Sequence, residues 1–479
     1  MKRAFLILLF ILPATLAGGQ ELVLQEGQSL PFKKERSFTR AEAGFRFRTE
    51  DDVYLPQEGN GLSQGEFHAS SHRRLDSLSV IEGMASYERG LKRSVSWNTS
   101  SDWALLAPYV TVDSVGGDLQ REQYRFGAHY ARRQGRAFYS GAIAYRALHE
   151  FRDVDPRPRN ITSDLSLDLQ GGLQNGVYAL SLTAGYRKYH QDQDIEFLDP
   201  RGNNTAIIHS LGLGRNYGRF SASSSSMDVR FRGNGFGIKA VLEPVSGLGW
   251  MGGASWKLFL VDRQLKGQNE APMSTLSVNT FDAYCGRKIS SGRFCASYKA
   301  EASLRLKHGT EHVLDHTGSF KSLVDLPMYE ESLFKAGVSS ILSWGTGVTL
   351  VPRIGFTSLL ASGAAPESYL SISALDVFAR ALYKWDRGAW NYCMGASALL
   401  NARLSSSMLL PELDERTSAH YNHVFSRWED SFTVAEASFL ASCRLLKDLE
   451  IYSRPELGAA FYFKGHYCLR AYLCIGIMF

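Results

Sequence analysis

The chain has 479 residues, of which 44% are hydrophobic and 21% are charged. This composition excludes an extensively disordered protein and fits two or three ordinary domains or one large barrel. The formal net charge is +5, and +3 once Lys2 and Arg3 are removed with a signal peptide. So small an excess does not by itself indicate binding to nucleic acid, and no nucleic-acid partner is predicted.

The first twenty residues, MKRAFLILLFILPATLAGGQ, are typical of a secretory signal peptide. Two basic residues precede an apolar stretch from Ala4 to Leu16, and small residues follow. We predict a signal peptide over residues 1–19, cleaved after Gly19. The alternative is a retained anchor helix, for which the apolar stretch is short. No later stretch of about 18 apolar residues predicts a membrane helix.

Residues 20–63 carry mixed charge, as in Lys33, Glu35 and Glu50. We predict an N-terminal segment that is either a small hatch inside a pore or a periplasmic tail, and the sequence leaves both open. Gly59-Asn60-Gly61 then predicts a turn into a β-domain over residues 64–479, whose first strand lies near residues 65–73.

Turn signals recur along this domain, where Gly or Asn-Gly pairs suit tight hairpins. They lie at residues 87–90, 133–135, 174–176, 216–218, 246–247, 290–292, 345–347, 386–388 and 447–448. Each interval has room for two strands and a longer loop. A strand on either side of each signal, with terminal strands added, gives about twenty, and 18 is also compatible.

The run RFCASYKAEASLRLK, residues 293–307, alternates almost without fault between apolar and polar or charged residues. Ordinary strands have about five or six residues. A membrane explains the greater length, because the apolar face meets lipid while the charged face meets a polar lumen. Since every backbone group in hydrocarbon must be paired, the sheet must close. The alternative is a secreted sandwich or solenoid.

We therefore predict an all-β fold: a single transmembrane, antiparallel, up-and-down β-barrel of 18–20 strands. It has short periplasmic turns and long extracellular loops, and lies in the cell outer membrane. Aromatic residues near the strand ends are expected to form girdles at the two interfaces. These are Tyr139, Tyr145, Tyr178, Trp250, Trp256, Trp344, Trp385 and Trp390.

The last residues, HYCLRAYLCIGIMF, alternate and end in Phe479. They resemble the closing strand of Gram-negative outer-membrane barrels, and this resemblance implies that Phe479 is a signal for the barrel-assembly machinery. With the phrases at 96–98, 107–109 and 155–158, the chain resembles an uncharacterised barrel family of Bacteroidota-type bacteria. That resemblance implies no particular activity or site.

On the inward parity, twelve Lys or Arg residues outnumber six Asp or Glu residues. A channel so lined favours anions. The alternative is that these charges pair across strands and stiffen the wall. The candidate solute-binding residues are Arg125, His129, Asp168, Lys299, Glu301, Arg305, Arg353, Asp376, Arg380, Arg403, Arg454, Glu456 and Arg470; the same parity also holds Lys239, Glu243, Lys307, Lys384, Glu436 and Arg444.

Two loop phrases, Asp155-Pro156-Arg157 and Asp199-Pro200-Arg201, occupy equivalent points of successive hairpins, and loop structure is the favoured explanation. The loop from Ser101 to Glu122 could fold inward as a constriction or outward as a docking surface, and the sequence decides neither. The loop-site candidates are Trp103, Tyr109, Asp113, Asp155, Arg157, Asp199 and Arg201.

Little in the sequence predicts catalysis or metal binding. No CxxC or HExxH motif occurs, so no metal or other cofactor is predicted. His420, His423 and Asp430 share one loop without a recognisable motif, and we do not predict an enzyme. A hairpin centred on Ser290 would place Cys285 opposite Cys295, so that a disulfide is one alternative and free thiols the other.

The sequence thus predicts a channel or binder for small polar, anion-leaning solutes. The alternative function is a non-conducting barrel that docks or scaffolds an exported protein. Outer-membrane lipid and the assembly machinery are the further partners expected. A transporter of hydrophobic compounds would need an apolar pocket in the lumen, and the charged inward parity argues against one.

Overall fold

A computed structural model describes residues 37–198, 207–218, 227–267, 269–315, 320–446 and 449–479. Within these ranges eighteen long strands form one closed antiparallel barrel. Each strand pairs with the next along the chain, and the last pairs with the first over Arg40–Glu50 and Cys468–Met478. The predicted fold, a transmembrane up-and-down barrel with strands in the range 18–20, is confirmed at eighteen.

The elements are numbered in chain order. The barrel strands are β1 (Phe38–Glu50), β2 (Gly61–Arg74), β3 (Ser79–Val95), β5 (Gly117–Gln134), β6 (Ala137–Phe151), β7 (Arg157–Gln174), β8 (Tyr178–Glu196), β11 (Val229–Pro244), β12 (Gly249–Leu265), β13 (Ala271–Ser291), β14 (Phe294–Leu314), β15 (Ser322–Trp344), β16 (Val348–Gly363), β17 (Ser368–Arg387), β18 (Trp390–Leu409), β19 (Phe432–Leu446), β20 (Leu449–Tyr462) and β21 (Tyr467–Met478). A separate small sheet contains β4 (Thr111–Asp113), β9 (Ile207–Gly212) and β10 (Arg215–Asn216). The helices are α1 (Trp103–Leu106) and α2 (Glu415–Trp428).

The two ends of the barrel differ in their connections. Short turns such as 135–136, 292–293 and 388–389 join strands at one end. The longest connections, 96–116, 197–228 and 410–431, lie at the other, although 364–367 is short there too. A membrane strand needs about 9–11 residues, whereas β15 has 23. The strands therefore project beyond the bilayer toward the long loops.

The outer face of the barrel is apolar over the half nearer the short turns. Its exposed side chains include Leu180, Leu182, Phe236, Ile238, Phe281, Ile354 and Leu473. Nearer the long loops the polarity reverses. In β12, Asp262 points outward and is exposed, while Phe259 and Val261 point inward and are buried. The outer face near the short turns is therefore suited to contact with lipid, and the inner face near the long loops is suited to packing against protein.

The barrel begins earlier than predicted, because β1 lies inside the segment assigned to a hatch or tail. Ala43, Phe45 and Phe47 face outward, while Arg46 and Arg48 face inward. The mixed charge of this stretch is the inner face of a strand. The predicted strand near 65–73 is present, but it is the second strand, β2. The signal peptide and residues 20–36 lie outside the described residues.

Six of the nine predicted turns join neighbouring strands at the short-turn end. The signal at 447–448 lies outside the described residues. The signal at 87–90 is wrong, because these residues lie within β3 and the turn is at 75–78. A Cβ on Gly90 would lie 2.7 Å from the Ser63 carbonyl oxygen, so this glycine serves close strand packing. The signal at 216–218 falls within a loop and begins in β10 rather than joining two barrel strands.

The predicted cysteine geometry is also wrong. The hairpin of β13 and β14 turns at 292–293, which pairs Cys285 with Ala300 and Cys295 with Ser290. The two cysteines are therefore not opposite one another, and the six described cysteines are free thiols. No helix in the described part of the chain has both the length and the apolar character needed to cross a bilayer.

Phe479 lies at the seam where the barrel closes. Its carbonyl oxygen accepts a hydrogen bond from the Thr39 N–H at 2.6 Å, and its own N–H donates to the Thr39 carbonyl at 2.9 Å. The last residue is thus held against the first strand. Its role as an assembly signal remains a prediction.

Candidate functional site

Three long loops fold into the lumen at the long-loop end. We call residues 96–116, 207–218 and 415–428 the plug. Their apolar side chains form one core with inward-facing residues of the wall, among them Phe231, Leu333 and Ile372. The sequence left open whether the loop that begins at Ser101 folds inward or outward. In the structure this loop folds inward. The expectation of a uniformly polar lumen is therefore wrong at this end, because the projecting strands carry apolar residues on their inner face.

Two carboxylates of the loop 96–116 hold it to the wall and to the connection between β6 and β7. Asp102 accepts hydrogen bonds from Arg146 at 2.9 and 2.5 Å and from the Tyr189 hydroxyl at 2.9 Å. Asp113 pairs with Arg152, and both side chains are fully buried. Burial alone would raise the pKa of Asp102, but the hydrogen bonds and charge of Arg146 outweigh it and lower the pKa.

Tyr109 is the third anchor of this loop. Its side chain is 2% exposed, and burial raises the pKa of its hydroxyl. The ring fits against the wall because residue 309 of β14 is glycine. A Cβ there would lie 2.2 Å from the Tyr109 hydroxyl oxygen. The predicted loop residues Trp103, Tyr109 and Asp113 are thus all buried in the plug.

The helix α2 forms the second part of the plug. Asp414 caps its first turn by accepting hydrogen bonds from the Thr417 N–H at 3.0 Å and hydroxyl at 2.7 Å. These bonds lower the pKa of Asp414. At the other end Arg427 pairs with Asp52 of the loop between β1 and β2. Val424 and Trp428 are buried in the core, so that one face of the helix points to the wall.

A cavity of about 430 Å³ lies between the plug and the wall. Its plug side is aromatic and apolar, with Trp97, Trp103, Phe425 and Trp428. The His420 ring also lines it and stacks on Trp97, with the ring centroids 4.1 Å apart. This side offers flat apolar surface to a ligand.

The wall side of the cavity is cationic. Arg305, Lys307 and Lys335 line it against a single carboxylate, that of Glu331, and Arg215 of the plug lines the same cavity as a fourth cation. Glu331 is shared, at 2.9 Å from Arg305 and 3.6 Å from Lys307. Arg215 pairs with Glu311 at 2.8 Å. None of the described residues forms a hydrogen bond or ion pair with Lys335, which leaves its charge available to a ligand.

Of the predicted solute-binding residues, only Arg305 lines this cavity. Others pair along the inner wall, as the alternative expectation had it. Glu301 lies 2.8 Å from Lys299 and 3.0 Å from Arg353. Four more ion pairs line the inner wall: Arg125–Glu88 at 3.5 Å, His129–Glu82 at 3.1 Å, Arg454–Glu456 at 3.5 Å and Arg470–Glu436 at 3.9 Å.

The remaining inward candidates have polar or backbone neighbours. Asp376 accepts from Asn401 at 2.7 Å, and Arg403 donates to the Ser373 carbonyl at 3.5 Å. Asp168 faces Gly185, where an added Cβ would lie 2.5 Å from its Oδ1. Arg380 is half-buried on the inner face of β17.

The loop phrase at 155–157 has a local role. Asp155 accepts from Arg157 at 2.8 Å and from the Leu198 N–H at 2.9 Å, which ties two neighbouring loops together. Asp199 and Arg201 lie outside the described residues. The three residues considered for catalysis, His420, His423 and Asp430, have different partners. His420 Nε2 lies 3.2 Å from Gln57 Nε2, His423 Nε2 lies 2.9 Å from the Val53 carbonyl, and Asp430 accepts from the Lys464 N–H.

The sequence analysis missed Lys335, Glu331 and the aromatic side chains of α2. The signal for the first two is the alternation of β15, in which Glu331, Leu333 and Lys335 share the inner face. No comparable signal marks Phe425 or Trp428, because their position depends on α2 folding inward.

Comparisons with known proteins give weak structural similarities. Similar solved structures include the siderophore receptor PiuA from Acinetobacter baumannii, at 8% identity and a TM-score of 0.43, covering 93% of this chain and 82% of that one. A mutant of the ferric enterobactin receptor (PfeA) from Pseudomonas aeruginosa is 7% identical, with a TM-score of 0.39, and the match covers 92% of this chain and 80% of that one. Scores this low carry no information about a substrate.

No curated protein sequence matches the chain. One family model does match, over residues 28–476, which is nearly the whole sequence and includes the plug, the cavity and all barrel strands except the last two residues of β21. The chain therefore belongs to this family, which is described as a family of unknown function (DUF6850).

Proposed function

We propose that this protein is an outer-membrane barrel that binds a small anionic solute, with an apolar or aromatic part, in the cavity between plug and wall. The observation that carries the proposal is the lining of that cavity, with four cationic side chains against one carboxylate. Its volume of about 430 Å³ falls within the ~300–1,000 Å³ usual for small-molecule sites.

The two sides of the cavity recognise different parts of the solute. Lys335 and Arg305 attract the anionic group, and low-dielectric walls strengthen that attraction. Trp97 and Phe425 contact the apolar part. The proposal keeps the predicted preference for anions, but it moves the site from the inner wall at large to one cavity under the loops.

Passage through the barrel requires the plug to move, since it packs on inward residues of strands from β8 to β17. Binding is therefore the primary function proposed, and transport a consequence of plug displacement. The alternative, docking of an exported protein through the loops, remains a prediction. The burial of Trp103, Tyr109 and Val424 against the wall leaves fewer loop side chains for such a partner.

A titration of tryptophan fluorescence tests the proposal, because Trp97, Trp103 and Trp428 line the cavity. Benzoate is the probe, with benzyl alcohol and benzylamine as neutral and cationic matches. We expect benzoate to bind most tightly, and Lys335→Gln to weaken it about tenfold, the value of one charged hydrogen bond.

The matched control is Lys257→Gln. Lys257 is also a cation on the inner face, in β12, but it does not line the cavity. We expect this variant to bind benzoate like the unchanged protein. Equal weakening by both substitutions, or equal affinity for benzylamine, would contradict the proposal.

A further inference from the structure

A groove of about 540 Å³ lies on the outer surface of the barrel, across strands β12 to β16. Most of its lining side chains have the outward parity, including Trp250, Tyr298, Val338 and Ile354, which are 57%, 47%, 57% and 52% exposed. It is thus separate from the cavity under the plug and faces the surroundings of the barrel.

The rim of the groove is one row of neighbouring residues on adjacent strands. Trp250 pairs with Arg287, Arg287 with Tyr298, and Tyr298 with Ser340. The Arg287 guanidinium carbon lies 5.4 Å from the centroid of the Trp250 ring. This row places one outward-facing cation between two aromatic rings near the short-turn end, where an interfacial girdle is expected.

The floor of the groove is the next outward row, two residues further from the short turns. Here Cys285 pairs with Ala300, Ala300 with Val338, and Val338 with Ile354. The small side chains of Cys285 and Ala300 make a trough beside the larger Val338 and Ile354. The groove is therefore cationic and aromatic at the rim and apolar on the floor.

A break in the strand pairing lies at the level of the rim and favours a position outside the hydrocarbon. Ser339 pairs with Arg353 and Leu342 with Leu350, but within residues 320–446, all described, Ser340 and Ile341 have no partner in β16. The residue of β16 at this level is Pro352, which has no N–H to donate. An unmade backbone hydrogen bond is tolerated among polar headgroups and is strongly unfavourable in hydrocarbon.

We propose that this groove binds one phospholipid of the periplasmic leaflet, with its phosphate at Arg287 and an acyl chain along Cys285 and Ala300. Charge complementarity at the rim and the apolar floor fix the order of headgroup and chain. The short turns must then be periplasmic. The site is independent of solute binding in the cavity.

Native mass spectrometry of the detergent-solubilised protein with added phosphatidylglycerol tests this proposal. We expect Arg287→Gln to lower the occupancy of the most tightly retained lipid about tenfold. The matched control is Arg132→Gln. Arg132 is another outward arginine near a short turn, opposite the exposed Tyr139, and it does not line the groove.

A second variant, Ala300→Phe, fills the trough and leaves Arg287 in place. We expect it to lower lipid retention as well, and inorganic phosphate not to displace the lipid from the unchanged protein. A heat-dependent shift on gels checks that each variant is folded. Full retention in either groove variant, an equal loss in Arg132→Gln, or displacement by phosphate alone would overturn the proposal.

Discussion

The two halves of the barrel wall use the same alternation of residues in opposite ways. In the half nearer the short turns, β8 presents Leu180 and Leu182 outward. Further along the same strand, Lys188 faces outward, while Tyr189 is fully buried inside. The change of polarity marks the level at which the strand leaves the bilayer and begins to hold the plug. One strand thus contacts lipid with its outer face near the short turns and packs against the plug with its inner face near the long loops.

This difference explains why the candidate site is at the long-loop end. In the membrane half, inward charges such as Glu301 and Arg353 pair with each other across strands. In the loop half, much of the inner face is apolar and packs on the plug, and wall carboxylates such as Glu311 pair with residues of the plug. A cavity with one aromatic side and one cationic side forms only where these two arrangements meet.

The largest effect is expected from breaking the buried pair of Arg152 and Asp113, which fastens the plug to the loop half. Arg152→Ala leaves the buried Asp113 carboxylate without its counter-ion, and such losses cost about 3–5 kcal/mol. We expect protease cleavage within residues 96–116 of the folded barrel. The control is Arg157→Ala, which removes a partly exposed pair worth about 0–1 kcal/mol; the same cleavage there would contradict the anchoring role.

A second experiment places one charge in each half of the outer face. Leu182→Arg puts a cation against hydrocarbon, which costs about 2–4 kcal/mol near the bilayer midplane. His308→Arg makes a similar change at an outward, exposed position of the loop half, and we expect almost no cost. Equilibrium urea unfolding in lipid vesicles measures both. Similar losses of unfolding free energy at the two positions would contradict the proposed change of polarity along the outer face.

The third prediction concerns acid. Because the pKa of Asp102 is lowered in the folded plug, its contribution to stability is present above the ordinary carboxyl pKa of about 3.9 and is lost as the pH falls through the folded value. We expect the near-ultraviolet circular dichroism of the plug to melt at lower temperature below about pH 4. Asp102→Asn should abolish most of this pH dependence. An unchanged pH dependence in this variant would mean that a group other than Asp102 causes it.

The smallest effect is expected at the cap of α2. Asp414→Ala removes the hydrogen bonds to Thr417, and the loss of an N-cap typically costs about 1 kcal/mol. The plug should show modestly faster hydrogen exchange over residues 415–420. Asp414→Asn, which keeps an acceptor, is the control and should behave like the unchanged protein. Identical exchange in both variants would mean that wall contacts alone hold the helix.

Sequence reasoning could predict the barrel but only part of the site. The alternation around Lys299 and Glu301 reports directly which side of a strand meets lipid, so the fold and the inward set follow from it. The inward turn of the loops does not follow, because no periodic pattern shows where Trp97 or Trp428 packs. The first strand was missed because the mixed charge around Glu50 indicates a charged segment as readily as one face of a strand.

Single-channel conductance in planar bilayers tests the central claim, that the loops fill the lumen of the projecting half. The measurement compares the unchanged protein with a variant in which residues 98–114 are replaced by a short Gly-Ser linker. The structure predicts a small conductance that rises several-fold in the variant. Equal conductance of the two proteins would contradict it, because the loop 96–116 would then not lie in the path of the ions.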